Sequence, residues 1–195
     1  WSVFLPDAQY RDKLIHGSLL KVLVQSSIGE QERIPVYINR VLQNEDNKDF
    51  AAQFWDLSHR DTETPRHRVN KSTSPEGALD DRQEAKPLYS NPLFIYECHI
   101  GMAQEREGVG TYKEFKENIL PRIKDLGYNA IQLMAIAEHP YYGSFGYHVS
   151  NFFAASSRFG TPEDLKDLID TAHEMGMKVI MDLVHSHTGK NTYEG

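Results

Sequence analysis

The sequence predicts an α/β fold built on a parallel sheet, preceded by a smaller all-β unit. Three observations predict it. Apolar runs at 93–99 (LFIYECH), 130–136 (AIQLMAI) and 179–183 (VIMDL) alternate with two amphipathic helical stretches. Strands of this kind joined by helices pair in parallel through right-handed crossovers. The segment at 178–191, KVIMDLVHSHTGKN, changes from apolar to ionisable, ending in Asp182, His185, Ser186 and His187. A barrel strand delivering side chains to a site has that profile. Residues 1–56 instead carry short β-like runs at close spacing with turn residues between them, the pattern of part of a β-sandwich.

The chain has 195 residues, 39% hydrophobic and 25% charged, enough for one large or two small globular domains. Its net charge of −7, from 28 acidic and 21 basic residues, argues against a general nucleic-acid binder and suits a neutral ligand. No apolar run is long enough to cross a membrane. A lone cysteine, Cys98, precludes an intrachain disulfide and fits a reducing compartment, so a cytoplasmic location is expected. No signal peptide is visible, and the chain starts at Trp1 without a methionine. It is therefore expected to be a piece of a longer protein.

Within 1–56, strands are expected at 1–5, 19–24, 34–41 and 51–55, with a turn at 28–30. Pro35 places the third at an edge, because proline cannot donate to a ladder. Phe50, Phe54 and Trp55 could cover sugar faces, although core packing is the favoured use. Residues 57–90 are polar and rich in Ser, Thr, Pro, Asp and Arg. They read as a connector that packs weakly.

From residue 91 the pattern is βαβαβ. Thr111 and Glu114 have the spacing of a capping box that opens a helix. Phe115, Ile119, Ile123 and Leu126 form its expected core stripe, Pro121 should kink it, and Gly127 ends it. A long loop at 137–160 follows the second strand. Thr161 and Pro162 open the second helix, whose buried face is Leu165, Leu168, Ile169, Ala172 and Met175, closed by Gly176. A doubly wound sheet and a β/α barrel both fit. The segment His99-Ile100-Gly101-Met102 lacks the glycine spacings of a phosphate loop, which disfavours a nucleotide fold.

The strand ends should open on one face. They offer Glu97 and His99, then a loop with Glu138, His139, Tyr141, Tyr142, Phe145, Tyr147 and His148, then Asp182, His185 and His187. Aromatic rings beside carboxylates and imidazoles can hold a carbohydrate. His185 and His187 would share a face if the strand continued that far.

These residues carry a resemblance. YECHIGM at 96–102, LPRIKDLGYNAIQLMAI at 120–136, the stretch at 138–176 and DLVHSHTGKN at 182–191 resemble the catalytic barrel of the 1,4-α-glucan branching enzymes of the α-amylase superfamily, in particular the eukaryotic group. RIPVYINRVLQNEDNKDFAAQFW at 33–55 is similar to the β-sandwich carbohydrate-binding module that precedes that barrel. The resemblance implies three parts. Residues 1–56 would be a partial carbohydrate-binding module, 57–90 a linker, and 91–195 the first three strands of a TIM (β/α)8 barrel.

The resemblance also implies retaining transfer of an α-1,4-glucan segment to a 6-hydroxyl, which makes α-1,6 branches. Such transfer uses a carboxylate nucleophile and a second carboxylate as acid and base. Both are expected beyond Gly195, so residues 1–195 alone should be inactive. Asp182 matches the aspartate that supports the catalytic groups, His187 the histidine that contacts the sugar at the breaking bond, and Tyr147 the tyrosine stacked on that sugar. No cofactor is implied. No metal is carried over either, because Ser186 stands where many amylases have a calcium-binding asparagine, and a neutral hydroxyl is a poor replacement. An α-glucan is the expected partner.

Other readings compete. His185 and His187 have the His-x-His spacing of a metal-dependent hydrolase, but follow two complete βα units instead of the first strand. An amylase or debranching hydrolase would share the motifs. A non-enzymatic glucan-binding protein would lack the later carboxylates.

Overall fold

The computed structural model describes residues 4–56 and 92–189. The expected connector at 57–90 lies outside them, as do residues 1–3 of the expected first strand. Phe4 and Leu5 lie in no strand. A single turn of helix, α1 (Asp7–Tyr10), follows them instead.

The run expected as one strand at 19–24 is divided at Lys21 into β1 (Leu19–Leu20) and β2 (Val22–Ser26). β2 forms an antiparallel hairpin with β3 (Gly29–Arg33), pairing Ser26 with Gly29. The turn is thus Ser27-Ile28, and Gly29 takes a positive φ of 117° to enter β3. The expected strand at 34–41 is not formed. Pro35 has no N–H for a ladder, and its carbonyl accepts from the Ile38 N–H at 3.2 Å to close a turn. Only β4 (Val41–Gln43) survives at its end. β5 (Phe50–Gln53) lies between β1 and β4, both antiparallel to it. Ile34, Val41, Phe50 and Ala52 form the core of this unit. Phe50 is therefore a packing residue and is not available to a sugar.

In the second part, β6 (Ile95–Cys98), β7 (Ala130–Leu133) and β10 (Lys178–Met181) form a parallel sheet in the order β10-β7-β6. Cys98 and Met181 both pair with Leu133, so the three strands end flush. The first crossover starts at α2 (Tyr112–Glu114) with both hydrogen bonds of the Thr111/Glu114 capping box. It passes through a π-helical turn, Phe115–Ile119, into α3 (Leu120–Asp125). The π turn answers the kink expected at Pro121. A proline removes one i→i−4 bond and crowds that carbonyl, and the wider turn just upstream absorbs the mismatch. The buried stripe shifts with it. Phe115, Leu120 and Ile123 are core residues, while Leu126, expected inside, is 72% exposed.

The second crossover is α4 (Pro162–Glu174), capped by Thr161 and Asp164 in a second reciprocal box. Leu165, Leu168 and Ala172 are buried, with Ile169 and Met175 packed against the same core, as the helical spacing predicts. The loop at 137–160 is not plain loop. It holds β8 (Ala137–Glu138) and β9 (Asn151–Ala155), an antiparallel pair with a bulge.

The two parts touch. Ala154 of β9 completes the core of the N-terminal unit. Arg40 donates to the Gly160 carbonyl at 3.0 Å and stacks on Trp55, 4.6 Å from its ring. Trp55 Nε1 donates to both carboxylate oxygens of Glu163 at 2.8 Å. Trp55 is thereby a docking residue of α4.

Candidate functional site

Because the strands end flush, the residues that follow them leave one edge of the sheet. The Met134 N–H donates to the Cys98 carbonyl at 2.9 Å, and the Asp182 N–H to the Leu133 carbonyl at 3.0 Å. Asp182 is thus fixed by its backbone at the mouth of the sheet, half-buried. Glu97 is exposed and accepts from Gln132 Nε2 at 3.1 Å.

Tyr147 is brought to the same mouth by a backbone device. Ala135 and Gly146 both have positive φ, 41° and 89°. They pack so closely that a Cβ on Gly146 would overlap the Ala135 carbonyl oxygen. Only glycine allows that approach. The Tyr147 hydroxyl is held above its ordinary pKa, first by burial, then by the charges of Asp182 and Glu97. Tyr147, Asp182 and Glu97 are therefore within one electrostatic neighbourhood.

His187 lies outside any strand, because β10 stops at Met181. His185 and His187 accordingly do not line one strand face. His185 stacks on Phe152 with ring centroids 5.9 Å apart. His187 Nδ1 shares a 2.7 Å hydrogen bond with Ser186 Oγ. The main chain of His187 is fixed on the loop that carries Tyr147, since its carbonyl accepts from the Val149 N–H at 3.2 Å and the Gly189 N–H donates to the Val149 carbonyl at 2.9 Å. Among the described residues no three His, Cys, Asp or Glu side chains converge as a metal-ligand set.

Three residues of the expected polar face are interior. His99 is 7%, Glu138 1% and His139 0% exposed. His99 Nε2 lies 3.1 Å from the Phe145 carbonyl, and its ring sits among Tyr142, Phe145 and Phe159. Burial pushes the pKa of both imidazoles down. Burial also pushes the Glu138 carboxyl up, against the pull of N–H donors from Ser157 at 2.7 Å and His139 at 3.2 Å and of the Arg158 charge. These groups pack the loop and do not face the mouth. Sequence reasoning missed Arg158, which donates to the His139 and Pro140 carbonyls at 3.3 and 2.7 Å. Nothing in the sequence pairs it with residues nineteen and eighteen positions away.

A cleft of about 440 Å³ adjoins Asp182 and His185, walled by Phe152, Leu165, Ile169 and Met181. Tyr147 and His187 are not among its lining residues.

Residues 102–194 match the family model of the alpha-amylase catalytic domain. Over 197 aligned residues, all of this chain and 26% of the relative, the sequence is 46% identical to the 1,4-alpha-glucan-branching enzyme of Dictyostelium discoideum. Along its whole length the chain is similar to 1,4-alpha-glucan-branching enzymes. The chloroplastic/amyloplastic 1,4-alpha-glucan-branching enzyme 2-2 of Arabidopsis thaliana is 43% identical over 196 residues, again all of this chain and 22% of that one. The chain thus spans about a quarter of the length of the curated relatives it matches. A solved trehalose-6-phosphate hydrolase of Bacillus licheniformis is 31% identical, with a TM-score of 0.42 over 47% of this chain and 16% of that one. With the family match, the parallel sheet and its two crossovers form a TIM-barrel-type fragment, and the doubly wound alternative is set aside.

Proposed function

We propose that residues 1–195 form part of a 1,4-alpha-glucan-branching enzyme, which moves an α-1,4-glucan segment onto a 6-hydroxyl. The observation that carries this reading is similarity at 43–46% identity along the whole chain. Tyr147 supplies a ring for one face of the sugar at the bond being broken. His187 contacts the same sugar, and Asp182 supports the reacting groups. The nucleophile and the acid/base belong to parts of the enzyme outside this chain. The N-terminal β unit is the carbohydrate-binding module, the polar stretch 57–90 the linker, and the working location the cytoplasm. No cofactor takes part in the reading.

The test is to incubate amylose with the complete enzyme that carries this sequence and, separately, with residues 1–195. The complete enzyme should lower iodine staining and create α-1,6 linkages without net release of reducing sugar. Reducing sugar without new branches would identify a hydrolase instead. Residues 1–195 alone should form no branches above a blank.

A further inference from the structure

We propose that the N-terminal β unit positions the sugar site, with Arg158 as the positioning residue through which it acts. The proposal rests on the reading of Tyr147 and His187 given above and adds a role for the unit that precedes them in the chain.

The β unit does not merely abut the sheet. It grips the hairpin that carries the site. Ala154, in the second strand of that hairpin, is 2% exposed and belongs to the core of the β unit with Ile34, Val41, Phe50 and Ala52. Tyr37 packs on the adjacent Phe153 with ring centroids 4.8 Å apart. Gln43, on the edge strand β4, accepts from Arg158 Nη2 at 2.9 Å. The same nitrogen donates to the Pro140 carbonyl, and Arg158 Nε to that of His139. One guanidinium therefore ties the β unit to the chain leaving β8, and a planar fork of donors suits three acceptors at once.

The hairpin passes the constraint on. The Glu138 carbonyl accepts from the Ser150 N–H at 2.9 Å and from its hydroxyl at 3.2 Å. The neighbour of Ser150, Val149, is the residue bonded on both sides to the segment of His187. Tyr147 lies two residues before Val149. Every link from Gln43 to His187 is a hydrogen bond or one or two residues of chain, and none passes through the parallel sheet. Loosening the Gln43 end should free the hairpin and the site loops while leaving the sheet intact.

Gln43 is half-buried and far from the sugar site in sequence, so its replacement is a mild test. Amide hydrogen exchange on the chain should show Gln43→Ala exchanging about tenfold faster at 147–150 and 185–189, as expected for losing one hydrogen bond to a charged group. Exchange at Ala130–Leu133 should not change. Gln43→Glu, which still accepts from Arg158, should restore protection. In the complete enzyme the Ala variant should lose branching turnover severalfold with KM for amylose held, and the Glu variant should recover it. Unchanged exchange at 147–150 and 185–189 in the Ala variant, or equal effects of Ala and Glu, would overturn the proposal. If exchange shifts while branching does not, the coupling stands and the assignment of Tyr147 and His187 to the sugar site falls.

Discussion

Gly146 packs directly against Ala135, and both residues occupy positive-φ backbone. A Cβ added at Gly146 would overlap the Ala135 carbonyl oxygen and lie 2.9 Å from the Ala135 Cβ. The pair folds the loop back over the end of β7 and sets where Tyr147 emerges. Gly146→Ala should cost about 1–3 kcal/mol in backbone strain alone, with the steric overlap in addition. Urea unfolding of the chain checks this, and an unchanged midpoint would contradict it.

Tyr147 and His187 should separate by the chemistry each supplies. In the complete enzyme, Tyr147→Phe should retain most branching, because stacking needs the ring, while Tyr147→Ala should not. His187→Ala should lower turnover more than apparent affinity, since contacts that strengthen in the transition state act on kcat. Steady-state kinetics on amylose decide both. Equal impairment in the Phe and Ala variants, or a change confined to KM at His187, would count against these roles.

Stability should fall as the solution is acidified from pH 7 to 5. His139 and His99 have pKa values lowered by burial, so the folded chain favours the neutral rings. Their contribution is complete above the unfolded value of about 6.5 and is lost as pH falls through the lower folded values. Each proton taken up on unfolding contributes a slope of about 1.4 kcal/mol per pH unit. Glu138 runs the other way. Its pKa is raised by burial, so its contribution is complete below the unfolded value, about 4.3, and is lost as pH rises through the folded one. Unfolding free energies at several pH values measure the sum, and His139→Gln should reduce the slope by one proton. A His139→Gln variant with the same slope as the parent between pH 7 and 5 would show that this ring is not held neutral.

Trp55 and Glu163 should contribute jointly to docking the β unit. Trp55 Nε1 donates to both carboxylate oxygens of Glu163, and hydrogen bonds to charged partners contribute about 1.5–3 kcal/mol. Both side chains are half-buried, so solvent screening puts the expected cost of Glu163→Ala near the low end of that range. The Trp55→Phe/Glu163→Ala double variant should cost less than the two single changes added together. Strict additivity would show that the contact carries no coupling.

The local signals were legible because they depend on few neighbours. Thr111 with Glu114, and Thr161 with Asp164, form the boxes their spacing implies. Gly127 ends its helix at a φ of 91°, and Leu165, Leu168 and Ala172 bury the face set by helical period. What the sequence could not determine was decided by long-range pairing. GEQER is polar yet becomes β3 because β2 supplies its ladder, while IPVYINRV is apolar yet turns at Pro35. Glu138 and His139 look like site residues in one dimension, but a hairpin clamped between two units takes them inside. Tyr147, Asp182 and His187 were legible as candidates from the motifs that hold them. Where the backbones of Asp182 and His187 lie depends on main-chain bonds to Leu133 and Val149 that no spacing along the chain encodes, because hydrogen bonds between distant main-chain groups are indifferent to side-chain identity.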